Sequence, residues 1–212
     1  MPDIVRRLGR MHGSFNFQPT LLNMRHLIIL LLAFIATTTT LISQEPTFIE
    51  FTIESVHDGD TWVAKDAAGN KFTCRPIGYD APEVRSNIIL ETQPYGRISG
   101  DTLRRLIKGK KILIDTTALT TKDHRDIYGR LLVEPYFADS SSIALYMIKN
   151  GYGWYAYTAN RRFPKMNTIL KDAHRAARAD NIGLWAGYLD AKGKKRYPEA
   201  PWTWRKKYSL RE

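Results

Sequence analysis

The stretch RPIGYDAPEVR, residues 75–85, places an arginine on a strand and two carboxylates in the stiff turn that follows it. The preceding KFTC alternates in polarity, so Arg75 continues a strand pattern at a position where an apolar residue is expected. Pro82 fixes the backbone between Asp80 and Glu83. A fixed cation followed by two positioned acids predicts a functional site rather than an ordinary core strand.

Working outward, short β-branched and aromatic runs separated by turn signals predict five strands, and helical spacing predicts helices inserted late in the chain. The strand segments are FIEFTIESV, TWVAK, KFTCRPIGY, KKILIDT and YGRLLVEPYF; the helices are predicted over 94–110, from Asp139-Ser140 to Asn150-Gly151, and over 164–178. In the last helix, Ile169, Ala173, Ala176 and Ala177 are predicted to share one apolar side. This pattern predicts an α+β, mainly β fold, in which a small closed barrel packs against helices.

The charge of the chain favours anionic partners. Lys and Arg number 32 against 21 Asp and Glu, and the residues after position 43 keep 28 basic and 20 acidic side chains. A basic globular body is typical of proteins that bind nucleic acid or an anionic membrane surface. The same charge can also be a solvated surface with no particular ligand.

The first 43 residues have the organisation of an export signal. Arginines precede the apolar run LIILLLAFIA, and small and polar residues follow it. Met24 is a possible alternative start. We expect an exported protein, or a membrane-anchored one if the leader is retained, because residues 27–43 reach the lower limit for spanning a bilayer.

The body of the chain is predicted to be one domain over 44–190, followed by a basic tail over 191–212. The tail carries PWTWRKK, and we expect its tryptophans to pack against the body, because free tails rarely carry two of them; a flexible basic arm is the alternative. Cys74 is the only cysteine, so no internal disulfide can form, and we expect it to be a small buried residue.

Two acidic turns are predicted to meet at one metal site. Asp60 follows a glycine turn in the first hairpin, which brings it beside the strand that leads to Asp80. Such carboxylates make a hard oxygen site suited to Ca²⁺ or Mg²⁺. Glu83 is then free to act on a water molecule. Singly, each feature is more often structural: Asp-Gly-Asp is common in hairpin turns.

Two arginines complete the predicted chemistry. Arg75 and Arg130, the latter in DIYGRLLV, present planar forks that grip phosphate oxygens in two places and remain charged. With a divalent cation and a general base, they are the parts that a phosphodiesterase needs.

The sequence resembles the staphylococcal (micrococcal) nuclease family, the thermonucleases. The resemblance spans about residues 53–185 and is carried, in order, by SVHDGDTW, RPIGYDAPEVR, QPYGRISGDTLRRLIKGKKI, DIYGRLLV, the helix that ends at Asn150-Gly151, and NIGLW. The closing PWTWRKK also resembles the end of many members. The family's fold is a five-stranded OB-type barrel with three helices, which agrees with the strands predicted above.

The resemblance implies roles for individual residues. Ca²⁺ would be bound by Asp60, Asp80 and the backbone carbonyl of Ala81, and the scissile phosphate by Arg75 and Arg130. Glu83 is the implied general base, and the substrate-binding residues are Tyr128 and Tyr157. Three positions depart from the best-known member: Ala81 replaces a threonine, Ile127 a lysine and Ala159 a second pocket tyrosine. These changes affect base and terminus preference rather than the hydrolytic groups.

The implied function is a monomeric, calcium-dependent nuclease that cleaves DNA and RNA with loose base preference and leaves 3′-phosphates. Contact with a membrane is expected only through an N-terminal anchor. The alternative is a non-catalytic OB-fold module that binds nucleic acid without cutting it. A pure binder would have no need of all five groups, Asp60, Arg75, Asp80, Glu83 and Arg130. A membrane-bound structural protein would explain the leader and the charge, but not the acids.

Overall fold

The computed structural model describes residues 48–115, 124–156 and 164–209 of the 212-residue chain. The predicted leader at 1–43 and Tyr157 lie outside the described residues. Within the described ranges, no helix is both long and apolar enough to cross a membrane.

The described part contains ten short strands and four α-helices. In chain order they are β1 (Phe48–Val56), β2 (Trp62–Lys65), β3 (Lys71–Pro76), β4 (Tyr79–Asp80), α1 (Gly96–Ile107), β5 (Lys111–Asp115), β6 (Leu131–Val133), β7 (Pro135–Tyr136), α2 (Ile143–Lys149), β8 (Trp154–Tyr155), α3 (Pro164–Ala179), a 3₁₀ turn (Gly183–Ala186), β9 (Tyr188–Leu189), β10 (Lys195–Arg196) and α4 (Pro201–Tyr208).

The main sheet curls back on itself. Its six strands run in the order β6-β3-β2-β1-β5-β7, with β6 parallel to β3 and β7 antiparallel to β5. Only Glu134 separates β6 from β7, so a single segment of chain pairs with both edges of the sheet. Pairing of both edges leaves the sheet with the curvature of a small barrel. The predicted OB-type fold class is confirmed.

Two predicted strands are divided in the structure. The run KFTCRPIGY forms β3 and β4, because Gly78 takes a φ of 96°, a conformation that favours glycine, and turns the chain out of the main sheet. Tyr79 and Asp80 pair instead with β8. The run around Arg130 forms β6 and β7. The turn at Gly78 brings Asp80 beneath the end of β3.

The core lies between the curled sheet and helices α1, α2 and α3. Trp62, Leu103, Ile107 and Ile114 are fully buried there, each side chain contributing about 1.5–3 kcal/mol through burial. Cys74 is buried as expected, and burial raises the pKa of its thiol to about 12.

The apolar side predicted for α3 is partly wrong. Ile169 is 46% exposed and Ala176 is also exposed, whereas Leu170 and Ala177 are buried. The buried face therefore follows the spacing 170, 173, 174, 177, with His174 as a partly buried member that the apolar pattern does not include.

The predicted cap of α2 is also corrected. Ser142 is the N-cap and accepts the backbone N–H of Leu145 at 3.2 Å, while Asp139 closes the preceding turn by accepting the backbone N–H of Ser141. Aspartate and serine both cap helices well, so their order in ADSSS did not decide between them.

Candidate active site

Asp60 is held in a tight turn between β1 and β2. Its backbone N–H donates to Asp58 Oδ1 at 2.9 Å. At Gly59 a Cβ atom would lie 2.1 Å from Ser99 Oγ on α1, so the glycine permits a close approach of the turn to the helix. The hydroxyl of Tyr79 donates to the Gly59 carbonyl at 2.9 Å. Packing on two sides therefore fixes the position of Asp60.

Arg75 joins the two acidic turns. Its Nη1 donates to Asp60 Oδ1 at 3.0 Å and its Nη2 to Asp80 Oδ1 at 2.6 Å. Asp60 Oδ2 accepts the backbone N–H of Ala81 at 2.8 Å. Asp60 and Asp80 are each 4% exposed. The sequence prediction that these two carboxylates lie close together is therefore what the structure shows.

Glu83 is positioned by a buried glutamine. The backbone N–H of Glu83 donates to Gln93 Oε1 at 3.0 Å, and its carbonyl accepts the backbone N–H of Gln93 at 2.9 Å. Gln93 is 1% exposed. The side chain of Glu83 faces the cleft described below and accepts a hydrogen bond from Arg205 Nη1.

Arg130 directly precedes β6, the neighbour of β3 in the sheet, and approaches Asp60 through Thr61. Its Nε donates to Asp126 Oδ2 at 2.7 Å and its Nη1 to Thr61 Oγ1 at 3.2 Å. The hydroxyl of Thr61 in turn donates to Asp60 Oδ1 at 3.1 Å. A chain of hydrogen bonds thus connects Arg130 to Asp60, although 69 residues separate Arg130 from Thr61.

Tyr128 lies at the rim beside Arg130. Its side chain is 66% exposed, and the guanidinium carbon of Arg130 lies 5.3 Å from the centroid of its ring. Its neighbour Ile127 is 91% exposed. Tyr128 therefore offers an open aromatic face at the entrance to the cleft.

The C-terminal helix α4 contributes a third arginine to the site. Arg205 Nη2 donates to Asp80 Oδ2 at 2.6 Å, and its Nη1 donates to Asp80 Oδ1 at 3.2 Å and to Glu83 Oε1. Sequence analysis predicted that the tail packs back through its tryptophans but did not include Arg205 in the site. The indole of Trp204 does donate to the Glu91 carbonyl, at 3.1 Å. For the other tryptophan the prediction is wrong, because Trp202 is 43% exposed.

These groups surround one open cleft of about 440 Å³. Its walls combine charged side chains with a few apolar ones: Asp58, Asp60, Arg75, Glu83, Ile88, Ile89, Tyr128, Arg130, Arg205 and Ser209. Asp80 does not line it, because Arg75 and Arg205 bind both of its oxygens. Four of the five charged residues predicted for the site therefore form the walls of the cleft, and the fifth lies directly behind them.

The acidic side chains of the site are Asp58, Asp60, Asp80 and Glu83, and the nearby arginines do not fully compensate their negative charge. Burial raises the pKa of Asp60 to about 7, although Arg75 opposes the shift. Burial likewise raises the pKa of Asp58 and, together with the negative charge of Asp60, raises the pKa of Glu83 to about 7. For Asp80, burial is outweighed by Arg205 and Arg75, which lower its pKa. A divalent cation would relieve this deficit.

The donor set suits a hard cation. Within the described ranges, no group of three or more His, Cys, Asp or Glu side chains forms a metal cage. Asp60 and Asp80 are instead a buried pair of carboxylates, joined through one guanidinium and followed by the backbone of Ala81. Carboxylate and carbonyl oxygens are the ligands that Ca²⁺ takes in proteins. The residues present therefore fit the calcium site that the sequence resemblance implies.

Comparison with known proteins agrees with this geometry. The model of the staphylococcal nuclease homologue family matches residues 73–187, more than half of the chain. The chain belongs to this family. The matched range includes Arg75, Asp80, Ala81, Glu83 and Arg130, whereas Asp60 and Arg205 lie outside it.

Several relatives share this part of the chain. An Escherichia coli protein named as an uncharacterized endonuclease is 31% identical over 150 residues, which are 71% of this chain and 80% of that protein. The probable staphylococcal-like nuclease CAN3 of Oryza sativa subsp. japonica is 33% identical over 141 residues, or 66% of this chain and 30% of its own length. The staphylococcal-like nuclease CAN1 of Arabidopsis thaliana is 28% identical over 144 residues, 67% of this chain and 36% of that protein.

Proposed function

We propose that the protein is a calcium-dependent nuclease that hydrolyses phosphodiester bonds in DNA and RNA. The observation that carries the proposal is the arrangement of Asp60, Asp80 and Arg75, with Glu83 and Arg130 on the same cleft. Two buried carboxylates, a third acid facing solvent and two arginine forks suit a phosphate ester better than a neutral ligand.

The cation site would be formed by Asp60, Asp80 and the backbone carbonyl of Ala81. When bound there, Ca²⁺ would supply positive charge that stabilises the developing charge on phosphate oxygens. The calcium assignment is supported by the hard oxygen donors and by the family resemblance. Removal of either carboxylate should therefore abolish the metal dependence together with the activity.

The arginines would bind and orient the phosphate. Arg75 is anchored on Asp60 and Asp80, and Arg130 on Asp126 and Thr61, so both guanidinium groups enter the cleft with little freedom left. Preorganised charge of this kind stabilises a transition state without reorganisation during the reaction. Arginines that bind phosphate contact the sugar-phosphate backbone of the nucleic acid rather than its bases, which supports low base specificity.

Glu83 would accept a proton from the attacking water. The water oxygen forms a new bond to phosphorus, the bond from phosphorus to the 5′ oxygen breaks, and that oxygen takes up a proton from solvent as it leaves. The phosphate then remains on the 3′ oxygen, as the family resemblance implies. For this step Glu83 must exchange its hydrogen bond from Arg205 for one from water.

Exposed Tyr128 would stack on a base beside the bound phosphate. An aromatic face accepts any of the bases, so this contact adds affinity without sequence reading. Tyr157 is proposed as a second substrate contact on the resemblance alone, because it lies outside the described residues.

The N-terminal segment 1–43 supports export of the protein, or anchoring in a membrane if the leader is retained. We infer that the nuclease acts as a monomer, since the proposed calcium-binding, phosphate-binding and base residues come from one chain. An exported nuclease would meet nucleic acid outside the cell, where calcium is plentiful.

Digestion of end-labelled single-stranded DNA and RNA tests the function. The full chain is incubated with Ca²⁺ or with chelator. It should cut both the DNA and the RNA only with Ca²⁺, and it should leave 3′-phosphate ends. A chain that binds the strands in either condition and never cuts them would support the non-catalytic binding module instead. Cleavage that leaves 5′-phosphates would contradict the proposed bond fission while keeping a nuclease.

A further inference from the structure

The C-terminal segment that carries helix α4 is fixed against the loop that follows Glu83, by contacts before the helix and at its end. Leu90 N–H donates to the Tyr208 carbonyl at 2.9 Å, and Gln93 Nε2 donates to the Glu199 carbonyl at 2.5 Å. The Trp204 indole also donates a hydrogen bond to the Glu91 carbonyl. These three hydrogen bonds hold the C-terminal segment against the segment that follows Glu83. The backbone position of Arg205 is therefore determined by the fold, and its side chain can still change partners.

The guanidinium of Arg205 is shared between two carboxylates. It binds both oxygens of Asp80, at 2.6 and 3.2 Å, and one oxygen of Glu83. The side chain of Arg205 is 33% exposed, compared with 6% for Asp80 and 14% for Glu83. Arg205 thus lines the cleft while its guanidinium nitrogens bind the two acids.

These contacts occupy a carboxylate that the proposed cation needs. Arg75 binds Asp80 Oδ1 at 2.6 Å, so with Arg205 in place both oxygens of Asp80 have donors. A cation that binds Asp80 would compete with at least one of them. Arg75 is 17% exposed and emerges from a central strand of the barrel, whereas Arg205 is more exposed and comes from the end of the chain. Arg205 is therefore the donor that can yield.

A displaced Arg205 would face the cleft without a carboxylate partner. Arg75 and Arg130 line the same cleft. A guanidinium fork that fits a carboxylate also fits two oxygens of a phosphate. The nearest suitable anion in a nuclease is a phosphate of the bound strand.

We propose that Arg205 is a third active-site guanidinium, which bonds to Asp80 and Glu83 and transfers to a substrate phosphate when a divalent cation takes Asp80. This inference rests on the proposed function, since it needs a cation at Asp80 and a nucleic acid in the cleft. It assigns the basic C-terminal segment a direct place in substrate binding.

Calorimetric titration of Ca²⁺ into the full chain, without nucleic acid, tests the first half. Arg205→Gln removes the competitor, and Ca²⁺ should bind about tenfold more tightly than to the wild type, the scale of one charge-assisted hydrogen bond. Lys206→Gln is the matched control, because it removes one charge from an exposed position of the same helix. Arg205→Lys should lie between wild type and Arg205→Gln, and it carries the test if the glutamine variant does not fold.

A non-cleavable strand tests the second half. A single-stranded DNA in which methylene groups replace the 5′ bridging oxygens is titrated at saturating Ca²⁺, where Arg205→Gln should weaken binding about tenfold, more than Lys206→Gln does. Equal affinities of the two variants for Ca²⁺, or for the strand, would overturn the proposal. A wild-type chain that binds no Ca²⁺ would overturn the proposed function itself, which distinguishes the two failures.

Discussion

The carboxylate of Asp126 binds both the side chain and the backbone of Arg130. One carboxylate oxygen accepts Nε of Arg130 at 2.7 Å, and the other accepts the backbone N–H of Arg130 at 3.0 Å. The turn that brings Arg130 to the cleft and the orientation of its guanidinium therefore depend on one carboxylate. Neither role was assigned to Asp126 from the sequence.

Asp126→Asn should lower the rate of strand cleavage roughly tenfold, because the amide keeps one acceptor oxygen for the turn, whereas its NH2 group carries no charge and cannot accept the bond from Nε. We expect the loss mainly in kcat, since Arg130 would still carry its charge into the cleft. Asp139→Asn is the matched control, because Asp139 closes a similar turn at a distance from the cleft residues. Equal rates for the two variants would remove Asp126 from the site.

Arg130→Lys should lower cleavage by about a hundredfold, because one ammonium group cannot bond to Asp126 and Thr61 together and still present a fork to phosphate. Arg175→Lys, on the exposed side of α3, is the control for the loss of a guanidinium. The measurement is single-turnover cleavage of labelled DNA at saturating Ca²⁺. Near-normal cleavage by Arg130→Lys would count against its assigned role.

Glu83→Gln should cut turnover by roughly a hundredfold or more, the usual scale for a lost general base. Binding of the non-cleavable strand should remain within a few-fold of wild type, because glutamine keeps the size of the side chain. Glu91→Gln is the control: Glu91 is exposed and contacts Trp204 through its backbone carbonyl. Unchanged turnover in Glu83→Gln would exclude Glu83 as the base.

His174 should make the folded state sensitive to acid. Burial and the nearby charge of Arg178 lower its pKa to about 4, below the ordinary value of 6.5. As the pH falls, this histidine is protonated in the unfolded chain before it is protonated in the folded one. The free energy of unfolding therefore decreases as the pH falls from 6.5 towards 4.

The loss due to this histidine should be about 1–2 kcal/mol, allowing for partial exposure of the ring. The rings of His174 and Trp185 stack with their centroids 5.0 Å apart. In His174→Phe an aromatic ring remains against Trp185, but the new side chain does not titrate. Urea unfolding of wild type and His174→Phe at pH 7.5 and 4.5 measures the difference. Equal pH dependence of the two proteins would refute the assignment.

Much of the site could be predicted from local sequence. Asp60, Arg75, Asp80 and Glu83 each lie at a strand end or in a turn beside it, and short hairpins bring such positions together. The break between β6 and β7 also had a signal, because Pro135 cannot donate to a ladder and marks an irregular strand. The alternating pattern of the whole run nevertheless predicts one continuous strand, whereas the structure has two.

Arg205 could not be placed in this way. It lies 125 residues from Asp80 along the chain, and the run RKK resembles any solvated basic face. Its position depends on how the tail packs against the loop after Glu83, which is tertiary structure. Gln93 is similar: a glutamine in a loop is usually exposed, and only the fold shows that this one is 1% exposed and bound on both sides.

Calcium-dependent cleavage at Asp80 is tested by the opening of supercoiled plasmid by the full chain, first in chelator and then with excess Ca²⁺ at fixed ionic strength, with the Asp80→Asn variant measured in parallel. We expect no opening in chelator, rapid opening once Ca²⁺ is in excess, and no such gain for Asp80→Asn. Opening at equal rates in chelator and in Ca²⁺, or full calcium-dependent opening by Asp80→Asn, would contradict this expectation.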